Sequence, residues 1–399
     1  MGNQFKLGLE ALVGQKQYTD LLKTKRVALV AHPASVTADL EHSIDYLKRH
    51  QVNVTCCFGP QHGMRGEKQD NMVESEDYLD PIHKIPVYSL YGEHRRPIKK
   101  WMDQFDVCLF DLQDVGTRIY TFLTTLLYMM EACAQEKKLL IVLDRPNPAG
   151  RPVEGMTLVK GWESFVGASV IPMRHGMTLG EMALWFKENH KINLEMVIAK
   201  MENYSSVAPW PIGMPWVNPS PNAANVYMAR AFPGTVMVEG THFSEGRGTT
   251  RPLEVVGAPD IDVQKVLTHM ESLNADWMKG CKIRTCFFEP TFHKHQKKLC
   301  QGFQIHTDGP FYDEAQFKPY RLMTLFFKAV RNLYPSYEIW RDFPYEYEMD
   351  RLAIDLINGS DALRNWVDSK SSKVEDFENE CRRSESAWLM ERKPFLLYP

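Results

Sequence analysis

This 399-residue chain lacks the local signatures of several common classes of protein. It contains no run of about 18–20 apolar residues, which a membrane-spanning helix requires. Its 47 basic and 50 acidic residues give a formal charge of −3, which provides no overall attraction to nucleic acid or to anionic lipid. We therefore expect neither a nucleic-acid partner nor a membrane partner.

The motifs of common cofactor and nucleophile sites are also missing. No GxGxxG follows the first apolar run, and neither GxxxxGK[ST] nor GxSxG occurs in the chain. The eight cysteines include no CxxC pair and no zinc-like spacing. The sequence therefore predicts no dinucleotide or nucleoside triphosphate site, and we expect a protein without a cofactor.

The cysteines and the N-terminus favour a cytoplasmic protein. Cys56, Cys57 and Cys108 lie within apolar runs, where a thiol is usually a small buried side chain. The opening MGNQFKLGLEAL lacks the basic-then-apolar pattern of a signal peptide. We expect a reduced cytoplasmic protein, although a chain from which a leader had been removed would look the same.

Short apolar runs alternate with helical patterns through the first half of the chain. We predict strands at residues 25–31, 52–58, 85–90, 107–110, 139–143, 170–173 and 194–201. Thr178 and Glu181 form a capping box at the start of a predicted helix. Alternation of this kind indicates βαβ units, so residues 1–205 are predicted to form a Rossmann-like α/β domain with a doubly wound, mostly parallel sheet.

The pattern changes after Ser205, where a segment rich in proline and tryptophan indicates a domain boundary. Further strands are predicted at residues 236–238, 282–288 and 303–306, and helices near residues 322–333 and 351–357. These elements do not alternate regularly. We therefore predict a second, smaller α+β domain over residues 206–399.

Polar residues follow the ends of the predicted strands, which is where open α/β sheets bind ligands. Each residue also has a structural interpretation, because one acid can cap the next helix or pair with Arg118, and Asp144 and Arg145 can brace a turn. Tyr120 can stack on a sugar ring or lie in the core. The candidates at strand ends are Asp111, Gln113, Asp114, Arg118, Tyr120, Asp144, Arg145, Asn147, Arg174 and His175.

Two further segments are dense in charge. The segment VEGTHFSEGRGTTRP contains Glu239 and Glu245 among glycines that allow close backbone approach. Its Arg247 and Arg251 can bind a carboxylate or sugar oxygens through paired hydrogen bonds. The alternative is a tight turn with a structural Arg–Glu pair.

The second segment is the polar loop at residues 61–81, where Glu74 and Glu76 lie. A loop of about 20 residues in a compact domain is usually functional or disordered. The alternative for these two acids is a solvated acidic loop. A metal site built from His32, His62 and His175 is a further hypothesis, but no HxH or HxxxH spacing joins these residues.

A cleft rich in carboxylates, arginine, asparagine and aromatic residues suits glycoside hydrolysis. In that reaction one carboxyl group protonates the leaving oxygen, and a second attacks the sugar or activates water. Two rival functions stay open from the residues alone, namely a non-catalytic sugar-binding protein and a metal-dependent hydrolase.

A series of motifs resembles one family over about residues 25–399. The motifs are GPQHGMRG, LYGEHRRP, FDLQDVGTRIYTF, LDRPNP, PMRHGMT, WVNPSPN, FPGT, EGTHFSEGRGTTRP and KPFLLYP. They are similar to those of the exo-β-N-acetylmuramidases of bacterial cell-wall turnover. The resemblance implies an active cleft between the two domains and removal of N-acetylmuramic acid from the non-reducing end of peptidoglycan fragments without NAD.

The resemblance also focuses the site hypothesis. Glu245 is the first choice for a catalytic carboxylate, with Glu74 or Glu76 as its partner and Glu239 as a further candidate. The family often carries Glu where this chain has Gln61, and an amide does not titrate. Candidates that grip the sugar and its lactyl carboxylate also include Gln61, His62, Arg65, Asn218, Asn222, Arg247 and Arg251.

Overall fold

The computed structural model describes residues 4–66, 68, 72–207 and 209–399. Its strands are β1 Val27–Ala31, β2 Val54–Gly59, β3 Tyr78–Leu79, β4 Pro86–Ser89, β5 Val107–Asp111, β6 Leu139–Leu143, β7 Glu154–Thr157, β8 Pro172–Arg174, β9 Met196–Ala199, β10 Val255–Ala258, β11 Lys282–Phe288 and β12 Cys300–His306. Its α-helices are α1 Gly8–Val13, α2 Lys16–Thr24, α3 Ser43–Arg49, α4 Lys99–Met102, α5 Phe122–Gln135, α6 Leu179–Asn189, α7 Val226–Thr235, α8 Val263–Asn274, α9 Pro319–Leu333, α10 Ala353–Asn358, α11 Ala362–Asp368 and α12 Val374–Arg392.

The first half of the chain forms a seven-stranded sheet in the order β3-β4-β2-β1-β5-β6-β9. All neighbours pair in parallel except β3, which is antiparallel to β4. The central strands β1 and β5 are buried along their whole length, which explains their continuous apolar sequences. The predicted doubly wound, mostly parallel sheet is confirmed.

The chain runs outward from β1 in both directions, so the order of the sheet reverses between β1 and β5. Such a switch point leaves a crevice beyond the carboxyl ends of the strands. The helix after β8 starts as predicted, because the Thr178 hydroxyl accepts from the Glu181 backbone and the Glu181 carboxylate accepts from the Thr178 backbone. The crevice therefore opens where β1, β2 and β5 end.

The second half is built on a three-stranded antiparallel sheet in the order β10-β12-β11. Helix α9 is buried for most of its length, and Phe326 packs edge-on against Phe243 and Phe303. Strands and helices occur here without βαβ alternation. The expectation of a smaller α+β part is confirmed.

The C-terminal segment returns to the first half of the chain. Trp388 of α12 donates from its indole nitrogen to the backbone oxygen of His175, at 2.8 Å. The hydroxyl of Tyr398 donates to the Asp144 carboxylate at 2.7 Å. These contacts hold the two halves together around the crevice. The boundary at residue 205 stays a prediction.

Two strand predictions are corrected. Residues 236–238 form part of the 3-10 helix Val236–Gly240, because this segment continues directly from α7 and is buried on all sides, which overrides the strand preference of valine. The strand predicted at 170–173 is the short β8, which pairs with β7 outside the main sheet. Part of the predicted loop at 61–81, residues 67 and 69–71, lies outside the described residues. In the described part of the chain, no helix is long and apolar enough to cross a membrane.

Candidate active site

A small cavity of about 50 Å³ lies beyond the end of β2, between the two halves of the chain. The first half contributes the residues just after β2 and just before α5, and the second half contributes the segment around the 3-10 helix and a turn before α10. The polar side chains of its lining are Gln61, His62, Tyr120, Thr121, Ser220, Asn222, Glu239, Arg247, Tyr345 and Glu346.

Glu239 is the cavity carboxylate with the strongest cationic partner. Arg247 Nη2 donates to Glu239 Oε1 at 2.6 Å, and the Tyr345 hydroxyl donates to Oε2 at 2.8 Å. Burial lowers the pKa of Arg247, but Glu239 and Glu245 together raise it above its ordinary value. Among the described residues, Nη1 of Arg247 has no hydrogen-bond acceptor although it is buried. The arginine therefore keeps a donor available for an anionic group in the cavity.

Glu245 has a different environment from Glu239. Its side chain is fully buried, with Lys294 Nζ at 2.7 Å and Arg247 Nε at 3.0 Å from its carboxylate oxygens. Burial favours the neutral acid, but these two cations and the nearby His293 bring the pKa of Glu245 down to about 2. Glu245 is not among the residues that line the cavity of about 50 Å³ between the two halves. It lines an adjoining cavity of about 120 Å³ together with Glu239.

Gln61 bridges the two halves of the chain inside the cavity. Its amide oxygen accepts a hydrogen bond from the Thr121 hydroxyl at 2.9 Å. Its amide nitrogen donates to Glu346 Oε1 at 3.2 Å, and the Tyr91 hydroxyl donates to the other oxygen of Glu346 at 2.8 Å. The amide thus lies directly against a carboxyl group from a distant part of the sequence.

Glu346 and Tyr345 are site residues that the sequence analysis missed. They lie in the segment DFPYEYEMD, which has no glycine-rich motif and does not follow a predicted strand of the sheet. The only local signal is the alternation of acidic and aromatic residues. Nothing in that pattern indicates that residue 346 reaches Gln61, from which 285 residues of chain separate it.

Several strand-end candidates are paired with one another away from the cavity. The Arg145 guanidinium makes two hydrogen bonds to the Asp111 carboxylate at 2.5 and 2.9 Å, and both side chains are buried. Asp144 accepts from the Thr178 hydroxyl and the Gly180 backbone, each at 2.8 Å. Asn147 braces its own turn through the Ala149 backbone. These residues hold the strand ends in place.

Arg118 and Arg174 also bind the protein itself. Arg118 donates to four backbone oxygens at 2.7–3.0 Å, namely those of Met156, Ile171, Ile357 and Asn358. Arg174 is buried and donates to the backbone oxygens of Ala149 and Phe317. Neither arginine lines the cavity.

His175 and Asp114 form a buried pair near the switch point. Asp114 accepts from the Gly116 backbone at 2.6 Å, and His175 Nε2 lies 3.7 Å from the same carboxylate. Gln113 donates to the backbone oxygens of Asp114 and Pro146. These residues lie outside the cavity lining, so the structure does not bring Glu245 together with Asp114 and His175.

The remaining candidates divide between the cavity and the surface. Asn222 and His62 line the cavity, as does Tyr120, whose ring packs on Phe122 and Phe232.

Glu74 and Glu76 are exposed, and Glu74 accepts from the Tyr347 hydroxyl at 2.8 Å. The other predicted residues have partners of their own or face solvent. Arg65 pairs with Asp80, Arg251 pairs with Glu254, and Asn218 is exposed.

The three histidines of the metal hypothesis are not brought together in the described structure. His32 accepts from the Gln113 backbone at Nε2, and its Nδ1 lies 3.1 Å from the Pro219 oxygen, so both ring nitrogens are engaged. His62 lines the cavity, and His175 is buried beside Asp114. Among the described residues, no three His, Cys, Asp or Glu side chains are grouped as metal ligands.

The sequence matches two family models along most of its length. Residues 27–227 match "Exo-beta-N-acetylmuramidase NamZ, N-terminal", and residues 230–398 match the C-terminal model of the same family. The chain belongs to the exo-β-N-acetylmuramidase family. It is therefore an exo-acting glycosidase, and the fold and enzyme class predicted from the sequence are confirmed.

Individual relatives agree with this assignment. The chain is 35% identical over 394 residues to the peptidoglycan β-N-acetylmuramidase NamZ of Bacillus subtilis (strain 168), covering 98% of this chain and 91% of the relative. Two crystal structures of DUF1343 family proteins from Bacteroides fragilis NCTC 9343 have similar folds. Their TM-scores are 0.84 and 0.76 at 27% and 28% identity, each over 99% of both chains.

Proposed function

We propose that this enzyme releases N-acetylmuramic acid from the non-reducing end of peptidoglycan fragments by carboxylate catalysis. The B. subtilis relative is named for action on peptidoglycan, and it matches nearly the whole chain. The observation that carries the proposal is the cavity carboxylate Glu239, which is held by Arg247 and Tyr345 between the two halves. The reaction needs a carboxylate of this kind opposite a proton donor.

Arg247 supplies the recognition chemistry for this sugar. N-acetylmuramic acid carries a lactyl carboxylate, which distinguishes it from N-acetylglucosamine. The free Nη1 donor of Arg247 suits that carboxylate, since a guanidinium binds a carboxylate in a planar, directional way. Asn222 and Tyr120 line the same cavity and provide an amide and an aromatic face for the rest of the sugar. The substrate is therefore a small carbohydrate or muropeptide.

Glu245 acts in this proposal as a positioning residue. It is fully buried, and its carboxylate is neutralised by Lys294 and Arg247. A carboxylate held in this way orients the Arg247 side chain through Nε, and Nη2 of the same guanidinium donates to Glu239. Because Glu239 lines the cavity between the two halves and Glu245 does not, Glu239 is our choice for the carboxylate that attacks the sugar or activates water.

The cavity must widen to accept its substrate. A volume of about 50 Å³ holds only a few water molecules, and a pyranose ring is larger. The walls come from both halves of the chain, so a small separation of these halves enlarges the cavity. A site of this kind fits the end of a glycan chain better than its middle.

Defined glycan fragments test the substrate. The purified enzyme is incubated with two disaccharides, one ending in N-acetylmuramic acid and one in N-acetylglucosamine at the non-reducing end, and released sugars are identified by mass spectrometry. We expect release of N-acetylmuramic acid from the first fragment alone. Release of N-acetylglucosamine, or cleavage within longer chains in preference to their ends, would contradict the proposal.

We also propose that the enzyme acts in the cytoplasm on imported fragments. All eight cysteines are free thiols in the structure, and six of them are fully buried, as is usual where thiols stay reduced. Cell fractionation with an antibody to the native protein tests this location. Recovery in the extracellular fraction of intact cells would contradict it.

A further inference from the structure

Glu346 lies at the tip of a tight turn, and it has no part in the roles proposed for Glu239, Arg247 and Glu245. Tyr345 and Glu348 are joined by two backbone hydrogen bonds of 3.1 and 2.9 Å, so Glu346 and Tyr347 are the two central residues of a hairpin turn. Their φ angles are 47° and 71°. Positive φ at both central positions defines a type I′ turn, which strongly favours asparagine, aspartate and glycine.

The turn is strained because it contains neither glycine nor asparagine at these positions. Non-glycine residues in the left-handed region are uncommon and persist where the surrounding structure holds them in place. Here the carboxyl group of Glu346 is fixed by Tyr91 and Gln61, and the ring of Tyr347 packs beneath the Arg95 guanidinium at 3.3 Å. The turn therefore holds the carboxyl group of Glu346 beside Gln61 and Tyr91 at the cost of a strained backbone.

Glu346 separates two cavities. It lines the small inner cavity that contains Glu239, and it also lines an open outer cleft of about 730 Å³. The outer cleft has aromatic walls, among them Tyr128 and Phe165, and is rimmed by charged groups such as Arg95. A general acid in glycoside hydrolysis must lie at this kind of boundary, because the oxygen that it protonates joins the bound sugar to the leaving group.

Burial is the main reason that Glu346 holds its proton up to about neutral pH. Burial raises the pKa of Glu346 to about 7, and the negative charge of Glu239 contributes to the rise. Hydrogen bonds from Tyr91 and Gln61 and the positive charge of Arg95 oppose it. The adjacent Tyr345 is fully buried, and its own pKa lies well above the ordinary value, so it stays neutral.

We propose that Glu346 is the general acid of this glycosidase. Its carboxyl proton passes to the glycosidic oxygen as the bond from C1 to that oxygen breaks, and the bonding electrons stay with the leaving alcohol. In one route Glu239 takes a proton from a water whose oxygen bonds to C1, and solvent then removes that proton from Glu239 and returns one to Glu346. In the other route Glu239 bonds to C1, and a water that gives its proton to Glu346 hydrolyses the resulting ester and frees Glu239. This inference rests on the proposed function, since it assigns a role in the same cavity.

The outer cleft receives the leaving group in this arrangement. A leaving saccharide needs aromatic surface and hydrogen-bonding groups, and the cleft provides both on the side of Glu346 that faces away from Glu239. Proton transfer and departure of the alcohol then occur on the same side. The cleft is large enough for a sugar residue, whereas the inner cavity is not until it widens.

Leaving-group dependence tests the role of Glu346. A dinitrophenyl glycoside of N-acetylmuramic acid needs no proton at its leaving oxygen, whereas a disaccharide does. We expect Glu346→Gln to lower kcat/KM for the disaccharide by about 100-fold or more and to leave kcat/KM for the dinitrophenyl glycoside within about 10-fold of wild type. The high-pH fall in kcat/KM of the wild-type enzyme, expected near pH 7, should disappear in this variant.

Two controls and the contrary results complete the test. Asp350→Asn removes an exposed carboxyl four residues away and should leave both rates and the pH profile unchanged. Thermal unfolding shows whether Glu346→Gln is folded, and Glu346→Asp gives a second variant that retains a titrating group and should retain a high-pH fall. An equal loss on both substrates, or no loss on either, would overturn the role of Glu346 alone. A wild-type enzyme inactive on both would overturn the proposed function, and this inference with it.

Discussion

The side-chain amide of Gln61 donates a hydrogen bond to the carboxyl group of Glu346, with 3.2 Å between nitrogen and oxygen, across 285 residues of chain. This contact joins the end of β2 to a strained turn in the second half of the chain. It also places an amide beside the acid that we assign to proton donation. This hydrogen bond favours the ionised form of Glu346 and so opposes burial, which raises the pKa of that carboxyl group.

Substitution of Gln61 by glutamate should extend activity to higher pH. The variant Gln61→Glu places two carboxyl groups in contact, and such a pair retains one shared proton to a higher pH than either group alone. The high-pH fall in kcat/KM, expected near pH 7 for the wild type, should move up by about one unit or more. A fall at unchanged or lower pH in the folded variant would show that the two side chains do not share a proton.

Neutralisation of Glu245 should destabilise the protein. Glu245→Gln leaves the buried Lys294 and Arg247 with less compensation, and breaking a buried ion pair costs about 3–5 kcal/mol. Urea unfolding measures this loss, and Glu245→Gln combined with Lys294→Met should recover part of it. A free energy of unfolding unchanged in the single variant would contradict the structural role.

The same carboxylate predicts a direction for acid unfolding. The pKa of Glu245 is lowered from 4.5 to about 2 in the folded protein, so its contribution to stability is present above pH 4.5 and is lost as the pH falls toward 2. The difference in unfolding free energy between wild type and Glu245→Gln should therefore shrink over this interval. A difference that stays constant from pH 5 to pH 2.5, as followed by circular dichroism in urea, would contradict the assigned pKa shift.

Asp111 should contribute to stability and not to substrate binding. Its buried pair with Arg145 lies outside the cavity, so Asp111→Asn should lower the free energy of unfolding by about 3–5 kcal/mol without raising KM. Asp106→Asn removes a partly exposed pair with Arg26 just before the same strand and should cost less than about 1 kcal/mol. A raised KM with unchanged stability would place Asp111 in contact with the sugar.

Arg118 should be essential to the junction of the two halves. Its guanidinium satisfies backbone oxygens on either side of that junction, and lysine cannot reach all four. Arg118→Lys should destabilise the protein by about 2–5 kcal/mol, because each buried carbonyl left unpaired costs about 1–3 kcal/mol. Arg49→Lys, at an exposed pair, is the matched control. An equal effect of both substitutions on urea unfolding would contradict this role.

The sheet could be predicted from the sequence because its strands are buried on both faces. The apolar run at residues 139–143 corresponds to β6 without any shift, and Val107–Asp111 extends the predicted strand by one residue. Residues 236–238 were predicted wrongly, since valine has the same preference whether or not a preceding helix continues through it. A strand can be predicted from its own residues when it is buried on both faces, because a continuous apolar run then marks it. The structure of residues 236–238 depends on the helix before them, so their own residues do not predict it.

The site was predictable only in part for a related reason. The segment containing Glu239 and Arg247 was identified because its charged residues and glycines are dense along the chain. Glu346 was missed, because its importance comes from a contact with Gln61 that only the folded chain creates. Conversely, Asp111 and Arg145 looked like ligand-binding residues, since the sequence does not show that they pair with each other.

The most direct test of the central claim is the rate at which the wild-type enzyme and Glu239→Gln release free N-acetylmuramic acid from a disaccharide that carries it at the non-reducing end. We predict release by the wild type and a rate lower by about 10²–10⁴-fold in the folded variant, because the cavity then lacks the carboxyl group that attacks the sugar or activates water. Release at the wild-type rate by Glu239→Gln would contradict the assignment of catalysis to this cavity.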